Sequence, residues 1–142
     1  MKVRVEAYYP GYTGTFGICY STTNTRPSIG FAYTSINVGS SYYPGNMTTA
    51  VGTYQYLRVY LSSGNQYRVD WKDCDNMNST DYTDISVGLR RESTDVTVVS
   101  VDDRPSTNAF TYAPTYSDYY YIVIYKRDYA SRSWYDVRIQ LW

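Results

Sequence analysis

The chain has 142 residues and a mass of 16.4 kDa, and its 13 basic residues balance 13 acidic ones. That length predicts a single domain over residues 1–142, long enough to bury a core without a metal or a disulfide. Zero net charge without runs of like charge argues against nucleic acid, and no apolar stretch nears the ~20 residues of a membrane span.

Composition excludes more. The chain holds 20 Tyr, two Cys and no His. Without His there is no Ser-His-Asp or Cys-His catalysis and no His-ligated zinc or haem. Cys19 and Cys74 are too few for a four-cysteine zinc site or an iron–sulfur cluster. No phosphate-cradling glycine motif occurs. No catalytic residue is nominated, and a non-enzyme is expected. Only a pair of carboxylates could still do acid–base work.

Taken in chain order, the elements read as strands. Ala, Leu, Glu and Lys are scarce, whereas Val, Ile, Thr and Tyr suit a pleated, half-buried surface. Val3, Val5 and Ala7 alternate on a first strand, and the opening residues do not form the apolar core of a signal peptide. Phe16, Ile18 and Tyr20 follow, then Ile29, Phe31 and Tyr33. The phase flips to Ile36 and Val38, which predicts a bulge near Thr34-Ser35. Residues 39–52 read as a Gly/Ser/Pro loop.

Leu57, Val59 and Leu61 share one face, Ser63-Gly64-Asn65 turns the chain, and Tyr67, Val69 and Trp71 follow. A hairpin is predicted, with Leu61 opposite Tyr67, Val59 opposite Val69 and Leu57 opposite Trp71. Its other face would pair Arg58 with Asp70 and Tyr56 with Lys72. An Asp/Asn-rich loop, 73–83, precedes a strand carrying Ile85, Val87 and Leu89. Val96 to Val101 is another, with a phase slip at Val98-Val99. Residues 102–117 contain Pro105 and Pro114 and read as a long loop. Tyr119 to Lys126 is hydrophobic on both faces, which predicts a central, covered strand. Tyr135, Val137, Ile139 and Leu141 mark the last strand. Eight or nine short strands with turns between them predict an all-β fold, an antiparallel two-sheet sandwich resembling a jelly roll.

Residues 53–142 resemble the bacterial pre-peptidase C-terminal domain. The matching features are Tyr54 to Leu61 with Gly64, then Tyr67-Arg68-Val69-Asp70-Trp71 and Asp73. Asp84-Ile85-Ser86-Val87-Gly88-Leu89, Ser117-Asp118-Tyr119-Tyr120-Tyr121-Ile122-Val123 and Tyr135-Asp136-Val137 complete them. The family's glycine before the tyrosine pair is Ser117 or Asp118 here, and the one two residues before Tyr135 is Ser133. The resemblance implies a secreted or cell-surface β-sandwich, non-catalytic, that binds a polymeric substrate or supports a parent enzyme. A polysaccharide or a fibrous protein is the expected partner, and a monomer or part of a larger chain the expected state. The alternative is a purely structural or secretion-supporting domain with no ligand of its own.

Three features carry chemistry. Tyr presents a flat ring and a polar tip at low entropy cost, suited to stacking on an extended polymer. Tyr56, Arg58 and Tyr60 alternate on the non-core face of one strand, and Trp134 and Trp142 are out of phase with the last strand's core residues. These five are the candidate ligand-binding residues. Asp73, Asp75, Asn78, Asp81 and Asp84 offer the closely spaced oxygens that calcium takes, although Asp and Asn also favour ordinary turns. Cys19 and Cys74 permit one disulfide or remain two thiols. A contiguous exposed aromatic strip would favour a binding module, and covered or scattered rings a structural one.

Overall fold

The computed structural model describes residues 32–47, 52–77, 80–101, 108–128 and 132–142. They fall in the compact unit Phe31–Trp142. The strands expected at Val3–Ala7 and Phe16–Tyr20 lie outside the described residues, as do Ile29 and Phe31 of the third, Cys19 and Asn78, while Tyr33 of that third strand is described and is not in a strand.

Nine strands occur in this unit, with no helix among the described residues. They are β1 (Thr34–Ser35), β2 (Tyr43–Asn46), β3 (Tyr54–Leu61), β4 (Tyr67–Lys72), β5 (Ile85–Arg91), β6 (Val96–Val101), β7 (Ala109–Tyr112), β8 (Asp118–Lys126) and β9 (Trp134–Leu141). Five form one sheet in the order β1-β3-β8-β5-β6, and four form the other in the order β2-β9-β4-β7. The fold is the expected all-β two-sheet sandwich. The pairs β2–β9, β3–β8, β4–β7 and β5–β6 are all antiparallel. They are the pairs of one long hairpin doubled back at residues 92–95, then rolled until β9 also meets β4 and β8 meets β5. That is a jelly roll. Only β1 departs from the antiparallel expectation, since it runs parallel to β3, with Thr34 level with Leu57.

The core lies between the sheets. Leu57, Val59 and Leu61 face Tyr67, Val69 and Trp71 across it, with Ile85, Val87, Leu89, Tyr120, Ile122, Ile124, Tyr135, Val137 and Ile139. Burying each such side chain stabilises by about 1.5–3 kcal/mol. Ile36 and Val38 pack against this cluster, in the phase the sequence predicts. Leu141 breaks the pattern of β9 and is exposed.

The predicted hairpin is not formed. β3 pairs with β1 and β8, while β4 pairs with β7 and β9 in the opposite sheet. The connection between them crosses from sheet to sheet, with Gly64 at φ 85° taking the left-handed conformation the turn needs. Both strands turn their apolar faces to one core, so their patterns match without pairing. Arg58 therefore meets Glu92 instead of Asp70, and Asp70 is held by Arg68 and Arg138.

Two predicted loops each contain an edge strand. In 39–52 it is β2, Tyr-Pro-Gly-Asn, where both breakers have a place. Pro44 needs no ladder partner on an edge. Gly45 lies under the Tyr135 ring, where a Cβ would sit 1.9 Å from Cζ. In 102–117 the edge strand is β7, whose Phe110 and Tyr112 pack on the core. The predicted slip in β6 is real: Leu89 pairs with Val99 and Arg90 with Thr97, so Val98 is the extra residue of a bulge. At the end of β8, buried Lys126 donates from Nζ to the carbonyls of Met47 (3.3 Å) and Arg132 (2.5 Å).

Candidate functional site

The outward face of the five-stranded sheet is a grid of aromatic and small residues. Alternation on β3 turns Tyr54, Tyr56, Arg58 and Tyr60 outward, because Leu57, Val59 and Leu61 point in. On β8 the outward set is Tyr119, Tyr121, Val123 and Tyr125, and on β5 it is Ser86, Gly88 and Arg90. Register aligns these in rows across the strands. Tyr54 pairs with Tyr125, Tyr56 with Val123, Arg58 with Tyr121 and Tyr60 with Tyr119.

The rings touch one another. Tyr54 stacks on Tyr56 with centroids 6.3 Å apart and lies 4.9 Å from Tyr125. Tyr56 meets Tyr121 edge-on at 6.3 Å, and Tyr121 lies 5.7 Å from Tyr33. Tyr60 meets Tyr119 edge-on at 5.2 Å. Tyr54, Tyr60 and Tyr119 keep 55 %, 49 % and 41 % of their surface exposed, so this is a contiguous aromatic patch open to solvent. β8 is central, as expected, and among the described residues its outer face packs against neighbouring tyrosines and Arg58.

Arg58 binds this patch together. Its guanidinium lies 3.5 Å from the Tyr119 ring centroid and 5.5 Å from that of Tyr33. Its nitrogens donate to the Glu92 carboxylate, at 2.9 Å for Nε. The Tyr121 hydroxyl donates to the same carboxylate at 3.1 Å. Burial pushes the Tyr121 phenol up, and the bond to Glu92 adds to the shift. The arginine predicted as a ligand contact spends its donors inside the patch and acts as a clamp on ring positions.

The five candidate ligand-binding residues are divided between two faces. Tyr56, Arg58 and Tyr60 stand on this grid, whereas Trp134 and Trp142 flank the two ends of β9 in the other sheet. Trp142 is exposed and stacks on the Arg68 guanidinium, 4.4 Å from its centroid. Trp134 is also exposed, and its backbone N–H donates to the Asp81 carbonyl. Sequence reasoning passed over Tyr54, Tyr119, Tyr121 and Tyr125. Their signal was alternation: every outward residue from 119 to 125 is Tyr or Val, in counterphase to Tyr120, Ile122 and Ile124.

Of the proposed calcium ligands, carboxylate oxygens of Asp73, Asp75 and Asp84 lie within 4.8 Å of one another. Asp81 is not one of this group and offers its backbone carbonyl to Ser133 and Trp134. Asp73 is buried, and its Oδ1 accepts from the Asp75 N–H (3.1 Å) and from Asn108 Nδ2 (2.8 Å). Cys74 beside them carries a free thiol. Burial, then the charges of Asp75, Asp84 and Asp73, push that thiol up to about 12, which makes it a poor nucleophile.

No protein-family model matches the chain, and no curated protein matches it. Solved structures do. The chain is similar to the pre-peptidase C-terminal domain of a collagenase from Bacillus anthracis, with TM-score 0.52 and 15% identity, over 82% of this chain and 99% of that one. It is similar to PliG of Aeromonas hydrophila, a periplasmic inhibitor of g-type lysozyme, with TM-score 0.50 and 9% identity, over 78% of this chain and 97% of that one. The shared property is the fold. The first likeness is to the domain type that the sequence motifs suggested, and it reaches further into the chain than residues 53–142.

Proposed function

We propose that this chain is a non-catalytic extracellular binding module that holds a polysaccharide or a fibrous protein on the outward face of its five-stranded sheet. The observation that carries this is the contiguous, exposed tyrosine patch clamped by Arg58 and Glu92. Rings held in place before a ligand arrives lose little freedom on binding, which is the condition for stacking to yield affinity. Tyr56 and Tyr60 stand four residues apart on one strand, about 13 Å at the usual rise, so an extended chain spans both. The fold likenesses fit this assignment. One neighbour is an accessory domain of a collagenase and the other inhibits an enzyme in the periplasm. Secretion or display at the cell surface belongs to the same proposal. Among the described residues no helix is long and apolar enough to cross a membrane.

A second reading is a structural domain with no ligand. It is favoured by the way the rings and Arg58 already satisfy one another. Retention of the whole chain on insoluble glycans and on collagen separates the two. The Tyr56→Ala, Tyr60→Ala double variant should melt close to the parent and lose retention. No retention of the parent on any polymer supports the structural reading instead.

A further inference from the structure

Beside the tyrosine patch the same face carries a groove of about 430 Å³. Its floor is Gly88 on β5, with Val123 on one side and Ser100 on the other. Tyr54, Tyr56 and Tyr125 form one wall, and Thr97 of the edge strand β6 forms part of the other. The groove exists because β5 turns the small residues Ser86 and Gly88 outward beside the tyrosine wall. Gly88 is also where a Cβ would approach the Val99 carbonyl to 3.0 Å, so the floor cannot be raised without moving β6.

The chemistry of the groove selects its occupant. Its polar side chains are the hydroxyls of Ser86, Thr97 and Ser100 and the guanidinium of Arg90. Arg90 pairs with Asp95, which neutralises its charge, while its Nε–H finds no acceptor among the described residues. Among the described residues no unpaired cation lines the groove to draw phosphates or acidic sugars, because its one arginine, Arg90, is paired with Asp95. The strands beneath it, β8 and β5, are bonded on both sides, so its floor offers no backbone edge to an added peptide strand. What remains is a flat aromatic wall for stacking and a row of hydroxyls for hydrogen bonding.

We propose that this groove is the binding site for a neutral glycan chain, which stacks on Tyr54, Tyr56 and Tyr125 and is hydrogen-bonded by Ser86, Thr97, Ser100 and Arg90. This rests on the binding-module assignment and chooses the polysaccharide over the fibrous protein. It also shifts the centre of the site from the Tyr56–Tyr60 row to β5.

The test uses the full chain against cellulose, chitin, xylan and mixed-linkage β-glucan as neutral glycans, and collagen as the protein arm. Ser100→Trp fills the groove from the edge strand, where folding tolerates it, and Tyr125→Ala removes a wall ring. Leu141→Ala, exposed at the end of β9 in the other sheet, is the control. Retention of the parent on at least one neutral glycan is expected, weakened about tenfold or more by Ser100→Trp and by Tyr125→Ala, a loss of about 1.4 kcal/mol per decade. Leu141→Ala should keep its retention, and melting curves of all three variants should confirm folded protein. Glycan retention indifferent to Ser100→Trp and Tyr125→Ala overturns the groove and leaves the module assignment standing. Retention on collagen alone overturns the choice of glycan. Retention on nothing overturns both.

Discussion

Gly45→Ala is expected to be one of the most damaging single-methyl additions in this molecule. Gly45 is level with Tyr135 in the β2–β9 pair, and the tyrosine ring lies flat over its Cα. A Cβ there would stand 1.9 Å from ring Cζ and 2.3 and 2.4 Å from Cε1 and Cε2. Carbon atoms sit comfortably at about 3.5–4.0 Å, so ring and backbone must part by about 1.5 Å or more. The ring has nowhere to go, because Tyr135 is fully buried and its hydroxyl donates to Gln55 Oε1 at 2.5 Å. Overpacking of this kind costs about 1–3 kcal/mol. Losing the Tyr135–Gln55 hydrogen bond adds about 0.5–1.5 kcal/mol. A total of about 1.5–4.5 kcal/mol is a large share of an ordinary domain stability of about 5–15 kcal/mol. Urea and thermal melts of the parent, Gly45→Ala, Tyr135→Leu and the double variant close a cycle. The alanine should cost far less once the ring is gone. An unchanged melting point for Gly45→Ala, or an equal penalty in both backgrounds, would refute the packing of β2 under Tyr135.

Further outcomes follow from the charged groups. Burial pushes the Asp118 carboxyl up, but hydrogen bonds from Ser93, Arg91 and the Tyr119 N–H outweigh it and hold the group below its ordinary 3.8. Its stabilising contribution is therefore complete above that ordinary value and is lost as pH falls toward the lower, folded one. Asp118→Asn should flatten the acid limb of the stability profile below about pH 4, and an acid limb identical to the parent's would contradict this. Calcium at Asp73, Asp75 and Asp84 should stabilise the fold by mass action, by about 2.7 kcal/mol at a hundredfold excess over Kd, and so raise the melting point. Asp75→Asn should abolish the difference between chelator and millimolar calcium. Equal melting of the parent in both would make the three carboxylates turn residues only.

Much of this molecule was legible locally. Alternation placed Leu57, Val59, Leu61, Tyr67, Val69 and Trp71 inward before any partner was known, because a strand's period of two is a property of the chain itself. The same local signal placed the slip at Val98-Val99 and turned Tyr56, Arg58 and Tyr60 outward. Partner choice was not local. The β3 and β4 patterns fit equally well as a hairpin and as two walls of one core, and only closure of the sandwich put them in different sheets. The edge strands β2 and β7 are four residues each and sit near proline or glycine, so their local signal is that of a loop. They become strands because β9 and β4 offer them ladder partners. The tyrosine patch and the groove draw on β3, β5, β6 and β8, which lie far apart in the chain. Sequence determines which residues face outward, and only the tertiary arrangement decides which outward residues become neighbours, because register is set by burial on the other side of the sheet.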